Sequence, residues 1–198
     1  MIDWAGRDLA ALARSFRAAR PFAHVVLDDL LPPAEHRALA EEILAEPHVL
    51  LESDLYLHLR GREPPLRPRV CALRDQLISL TGCAQVAQIT GLPIFRGDGA
   101  SYVYLEGHYL LPHSDAAVSE GRTVAYAYYV SAPEAGGELE LFACQQDADG
   151  ALTRTRRAKR LEARANRLVL FEVTPLALHQ VREVTRGERR SIAGWYYP

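Results

Sequence analysis

The sequence predicts a mainly β fold with flanking helices, a barrel or double-sheet jelly roll resting on N-terminal helical support. Two observations carry this. From Gly99 onward the chain breaks into short segments rich in Val, Tyr, Leu and Phe, separated by turn residues and without helical patterns between them. Before that point apolar residues recur at helical spacing instead. We therefore expect one domain over residues 1–198, with mostly helical support over 1–95 and the jelly-roll core over 96–198.

The elements follow in order. Leu9, Leu12 and Phe16 mark a first helix, and Pro21 to Leu27 reads as a strand through Phe22, Val25, Val26 and Leu27. Leu39, Ile43 and Leu44 mark a second helix, entered through Pro32-Pro33, where a first turn tolerates proline. Leu73, Leu77 and Leu80 mark a third, with Gly82 as its expected stop. The stretch Gly61 to Pro68 reads as a loop. Strands are expected over Tyr102 to Leu105, Tyr109 to Pro112, Thr123 to Val130, Glu138 to Phe142, Arg167 to Val173 and Arg190 to Tyr196. Gly136-Gly137, Asp147 to Gly150 and Thr185 to Glu188 supply turns.

Composition narrows the class. Hydrophobic residues make up 48% and charged residues 24%, as in a globular protein, and the net charge of −2 points to neither nucleic acid nor membrane. The longest apolar runs are too short to span a bilayer, and Met1 to Trp4 does not open a secretory signal. Three widely spaced cysteines (Cys71, Cys83, Cys144) form no C-x-x-C, so a cytoplasmic chain with reduced thiols is expected and Cys144 reads as a small core residue. Arg154 to Arg167 forms a basic run on an expected hairpin. A ribosome or RNA contact is one reading; a solvated edge that discourages sheet pairing is the favoured one.

His113-Ser114-Asp115 is the informative segment. Residues two apart on a strand share a face, so an imidazole and a carboxylate can aim at one point. Two histidines and one carboxylate on one face of a metal leave open positions, as in non-haem iron(II) oxygenases. His179, after the apolar strand Leu168 to Val173, is the candidate third ligand. His108 lies at an odd offset from His113 and is not expected to share the metal; His24, His36, His48 and His58 fall in the helical half.

The chain after His179 turns and returns as a strand carrying Arg189. Arg189, Ser191, Ala193 and Trp195 share one face, and the inward-facing Trp195 favours Arg189 over Arg190 as the buried arginine. A buried guanidinium needs an anion, and a carboxylate fits its fork.

With these residues in hand, the chain resembles the prolyl 4-hydroxylase-like branch of the 2-oxoglutarate/Fe(II) dioxygenases. The resemblance runs through Tyr104 to Gly107, Leu111 to Asp115, Gly121-Arg122, Tyr128-Tyr129, Gly136 to Leu139, Asn166 to Phe171 and Arg189 to Trp195, about half the chain. A fainter similarity to ribosomal prolyl hydroxylases and their bacterial relatives lies in Pro21 to Leu27, Ser53 to Tyr56 and Leu73 to Leu77. Those enzymes carry a second barrel for which 198 residues leave no room, so the likeness is to their catalytic barrel alone.

The resemblance implies a double-stranded β-helix (jelly roll). His113, Asp115 and His179 would be catalytic iron(II) ligands and Arg189 would bind the distal carboxylate of 2-oxoglutarate. Tyr129 would donate to the same carboxylate and Tyr104 would line the pocket. It also implies O2 as co-substrate and ascorbate as reductant. Related halogenases replace the carboxylate ligand with a small residue, so Asp115 points to hydroxylation. The expected reaction is hydroxylation of an unactivated C–H bond of a peptidyl proline or proline-like substrate. Oxidative tailoring of a free amino acid or natural product, and a non-catalytic metal-binding jelly-roll sensor, are the alternatives. Leu50 to Arg69 and Ala116 to Arg122 are expected to form the loops that choose the peptide or small-molecule substrate.

Overall fold

The computed structural model describes residues 2–117 and 121–198. The N-terminal part contains helix α1 (Leu9–Ala18), strand β1 (His24–Leu27), helix α2 (Pro33–Glu42), strands β2 (His48–Glu52) and β3 (Tyr56–Gly61), and helices α3 (Pro68–Ile78) and α4 (Leu80–Thr90). Strands follow: β4 (Arg96–Gly97), β5 (Ala100–Tyr104), β6 (Tyr109–His113), β7 (Val124–Ser131), β8 (Ala135–Gly136), β9 (Leu139–Gln146) and β10 (Leu152–Leu161). The chain ends with β11 (Arg167–Glu172), β12 (His179–Val181), β13 (Val184–Arg186) and β14 (Arg189–Tyr197).

Alternation explains the layering. On β7, Val124, Tyr126, Tyr128 and Val130 pack into the same core as Phe16, Leu39, Leu77 and Ile89 of the helical part. Ala125, Ala127 and Tyr129, one step out of phase, pack with Val169 and Phe171 on the opposite face. The sheet is thus buried on both sides, one against helices and one against the cavity described below. Polar pins hold the helices down: the Tyr196 hydroxyl donates to the Leu77 carbonyl of α3 at 3.0 Å, and the Tyr128 hydroxyl lies 2.9 Å from His36 Nδ1 of α2.

All strand pairs are antiparallel, in the order β1-β11-β7-β14-β5-β3-β6-β12-β9-β10. Strand β3 closes the curl. Arg60 pairs with Tyr102 of β5 and Leu57 with Tyr109 of β6, while β2 takes the other edge of β3. Strands β5 and β6 are therefore two pieces of one bent strand. Between them the chain inserts a bulge within the curled sheet, and His58 lies opposite that bulge. This is the expected mainly β jelly roll with flanking helices.

Several expectations need correction. Residues 48–61 form a hairpin, so Leu50 to Arg69 is not one loop, and His58 lies on a strand rather than in a helical region. Gly82 does not stop the third helix. Ser79 ends α3 and caps α4, its hydroxyl accepting from Gly82 N at 3.1 Å. Gly82 sits inside α4, where a Cβ would stand 2.3 Å from the Gln76 and Leu77 carbonyl oxygens. Cys144 is half-buried on β9 rather than a core residue. The expected turn at Thr185 to Glu188 is shorter, because Val184–Arg186 pairs with β8. Of the expected loop Ala116 to Arg122, residues 118–120 lie outside the described residues. No helix among the described residues is long and apolar enough to cross a membrane.

Candidate active site

His113 ends β6 and His179 opens β12, and the two are direct cross-strand partners with ring centroids 4.3 Å apart. Asp115 joins them from a short 3-10 turn, Asp115–Ala117, that follows β6. Convergence thus comes from the turn, not from the strand parity expected. The Asp115 carboxylate lies 3.7 Å from His113 Nε2 through Oδ1 and 3.7 Å from His179 Nε2 through Oδ2. One donor atom from each residue falls within 4.8 Å of the other two. Asp115 and His179 are both 5% exposed, a depth at which a carboxylate between two imidazoles requires a cation or a proton.

The backbone sets the histidine tautomers. His113 Nδ1 lies 2.9 Å from the Leu111 carbonyl and His179 Nδ1 lies 3.0 Å from the Ala177 carbonyl. A carbonyl only accepts, so each Nδ1 carries the hydrogen and each Nε2 offers its lone pair beside Asp115. Burial first, and the neighbouring His113 second, lower the His179 pKa to about 4. The neutral ring that a metal requires is therefore the resting form. Ser114 ties the turn down, its hydroxyl donating to the Thr174 carbonyl at 2.7 Å. These residues fit a divalent metal bound by two nitrogens and a carboxylate.

A cavity of about 410 Å³ runs from the triad to Arg189. Strand parity holds here: Arg189, Ser191, Ala193 and Trp195 all line it, whereas Arg190 pairs with Glu188 at 2.7 Å. Arg189 is 3% exposed, and its Nε and Nη1 have no hydrogen-bond partner among the described residues. Its guanidinium carbon stands 4.8 Å from the ring centres of both Tyr104 and Tyr129. Burial raises both phenol pKa values, with the Arg189 charge opposing, so both hydroxyls stay protonated and able to donate. The Tyr129 hydroxyl and Ser191 Oγ are also buried without a partner among the described residues. Arg189 and Ser191 line one end of the cavity with the Tyr129 phenol packed against the guanidinium, a donor set that fits a carboxylate.

Arg122 is expected only as part of the resemblance and of a substrate-choosing loop; the structure sets it beside the metal-type cluster. Its guanidinium carbon lies 3.5 Å from the Trp195 ring centre, and its Nη1 reaches Asp115 Oδ1 at 3.5 Å. His108 is buried outside the triad, as expected. His58, expected only to fall in the helical half, lines the cavity and is 7% exposed.

A curled antiparallel jelly roll with a two-histidine, one-carboxylate cluster at one end of its cavity defines the iron(II) oxygenase class. The chain belongs to the 2OG-Fe(II) oxygenase superfamily, whose sequence pattern matches residues 99–197. The cluster of His113, Asp115 and His179 is accordingly a candidate iron site. Among characterised relatives, it is 31% identical to the mouse prolyl 3-hydroxylase OGFOD1 over 188 residues, covering 89% of this chain and 33% of that protein. It is 37% identical to OGFOD1 of Xenopus laevis over 105 residues, 50% of this chain and 19% of that protein. The chain thus spans a third or less of these relatives. A Pseudomonas putida prolyl-4-hydroxylase structure superposes with TM-score 0.73 at 21% identity, over 96% of this chain and 98% of that one. A prolyl hydroxylase from Trichoplax adhaerens, solved with a hypoxia inducible factor peptide, gives 0.66 at 16% identity, over 100% and 94%.

Proposed function

We propose that this oxygenase hydroxylates a prolyl residue within a peptide, using His113, Asp115 and His179 to hold iron(II) and Arg189 with Tyr129 to hold the distal carboxylate of 2-oxoglutarate. The observation that carries this is the pairing, in one cavity, of a metal-type cluster with a buried guanidinium whose Nε and Nη1 have no partner among the described residues. The bound iron and 2-oxoglutarate supply the oxidising chemistry when O2 is present. The protein's own groups do the rest. His113 and His179 present lone pairs because their Nδ1 hydrogens are held by backbone carbonyls. Arg189 fixes the diacid end-on. Leu139, Phe171 and Val181 keep water from the reacting carbon.

The peptidyl substrate is supported by the mouse relative, which aligns over most of this chain and is named a prolyl 3-hydroxylase. The cavity agrees with it. The Trp195 indole and the Arg122 guanidinium stacked on it form a flat wall beside Asp115, suited to a pyrrolidine ring and a backbone carbonyl. The test is succinate release with Fe(II) and 2-oxoglutarate in the presence of proline-containing peptides, with mass spectrometry of the peptide. An oxygen atom added to proline is expected. Oxidation of free amino acids alone would move the reading to small-molecule tailoring, and 2-oxoglutarate turnover with neither would leave the peptide assignment without support.

A further inference from the structure

His58 belongs to no motif, yet the fold places it in the cavity. By register it lies across β3 from the bulge that begins at Tyr104, and Tyr104 is in turn the cross-strand partner of Arg189 on β14. A row therefore crosses the sheet: Arg189, Tyr104, His58. The His58 and Tyr104 rings stack with centroids 5.3 Å apart, and Tyr104 in turn faces the guanidinium at 4.8 Å. Tyr56 covers the outer side of the imidazole at 4.9 Å and Tyr102 meets its edge at 5.5 Å. His58 is more than nine-tenths buried, and its Nδ1 has no hydrogen-bond partner among the described residues.

We propose that His58 is a second electrostatic partner of the bound diacid, sharing with Arg189 the negative charge that 2-oxoglutarate brings into this end of the cavity. The inference rests on the co-substrate reading above and deepens it.

The charges around His58 support this. On its own strand stand Tyr56 and Arg60; β5 brings Tyr102 and Tyr104; the bulge brings His108; β14 brings Arg189; and its β2 partner is the apolar Leu51. Arg60 is offset by Glu63 at 3.4 Å, but Arg189 has no carboxylate within 4 Å among the described residues. Among the described residues no carboxylate acts on the imidazole. Burial first, then the neighbouring His108, Arg189 and Arg60, hold the imidazole neutral in the ligand-free protein, with its pKa lowered to about 4. A dianion seated at Arg189 cancels the guanidinium charge and adds attraction of its own. Both changes favour the imidazolium. Binding is then accompanied by proton uptake: the proton leaves the buffer acid and enters the imidazole, and no other bond changes.

The test is calorimetry of 2-oxoglutarate binding to Mn(II)-loaded protein at pH 6.5, in two buffers of different ionisation enthalpy. The diacid is fully ionised at that pH, so any proton gained enters the protein. We expect net uptake by the native chain and affinity that weakens several-fold between pH 6 and pH 8. His58→Phe keeps the ring stack but cannot take a proton. It should bind several-fold more weakly at pH 6, abolish the uptake and flatten the pH profile. His58→Gln, which keeps a donor without a titration, should also be pH-flat and serves if the Phe variant misfolds. His108→Asn should retain the uptake. A native chain that binds 2-oxoglutarate without uptake, or uptake that persists in His58→Phe, overturns this inference alone. A native chain that does not bind 2-oxoglutarate at all overturns the co-substrate reading and this inference with it.

Discussion

The two ends of the cavity treat their polar atoms in opposite ways. At the His113, Asp115 and His179 end, each nitrogen not aimed at Asp115 is already held: His113 Nδ1 by the Leu111 carbonyl, His179 Nδ1 by the Ala177 carbonyl. At the Arg189 end, Arg189 Nε and Nη1, the Tyr129 hydroxyl and Ser191 Oγ are buried with nothing to bond among the described residues. On the proposed function, the difference follows from the ligand each end would take. A divalent metal demands narrow geometry, so its donors are fixed in advance by backbone carbonyls. A diacid that comes and goes requires donors that are free when it arrives, and leaving them free costs folding stability.

Breaking the metal end should have the largest effect. His113→Ala removes one of three protein donors, and succinate release dependent on substrate should fall to background. Turnover persisting at a large fraction of native would remove the triad from the mechanism.

Breaking the anion end should show the contrast itself. Arg189→Met deletes a buried charge whose Nε and Nη1 have no partner among the described residues. The ligand-free variant should be as stable as the native chain or melt a few degrees higher, as expected when roughly a kcal/mol of desolvation cost is lifted. Its KM for 2-oxoglutarate should nevertheless rise by roughly 30-fold or more, the equivalent of about 2 kcal/mol or more for losing one side of a buried charge pair. A strongly lowered melting temperature would mean that Arg189 is structural and that the open-donor description of this end is mistaken.

A finer cut concerns Arg122, which touches Asp115 at 3.5 Å while stacking on Trp195. Arg122→Met should weaken metal affinity by about tenfold, the lower range for a group that orients a ligand from outside the coordination shell. Competition with a chelator measures it. If Arg122 instead serves only the substrate wall, chelator competition will be unchanged while the peptide KM rises.

How much of this was legible in the sequence differs between the same two ends. His113, Asp115 and His179 could be read because H-x-D is local and because a histidine following an apolar strand is a recognisable third donor. The geometric reason was only partly right, since Asp115 reaches the cluster from a 3-10 turn. Arg189 could be read because parity on a long strand is dependable: a one-residue slip would have exposed Trp195 and buried Arg190. His58 could not be read. Its place depends on β3 bridging two pieces of a bent strand, and on where the chain bulges between Tyr104 and Tyr109. Gly82 misled for a related reason. A glycine after an apolar period usually marks a stop, but here close approach of α4 to the end of α3 requires it.

Acid gives the smallest and most discriminating comparison. His58 is buried neutral at the anion end, with its pKa lowered to about 4 by burial and then by neighbouring cations, against an ordinary 6.5 in the unfolded chain. Below pH 6.5 the unfolded chain gains a proton that the folded, ligand-free protein refuses until pH approaches 4. Stability should therefore decline progressively as the pH drops through that window, and His58 accounts for at most about 3 kcal/mol of the decline by linkage. His58→Phe should make the ligand-free melting temperature less sensitive to acid across the same window, with little change above pH 7. Added 2-oxoglutarate should do the same to the native chain, because an anion beside Arg189 removes the reason for the imidazole to stay neutral. A native acid profile that neither the variant nor the diacid alters would mean that His58 is not sensing the charge at this end, and that Arg189 meets its anion alone.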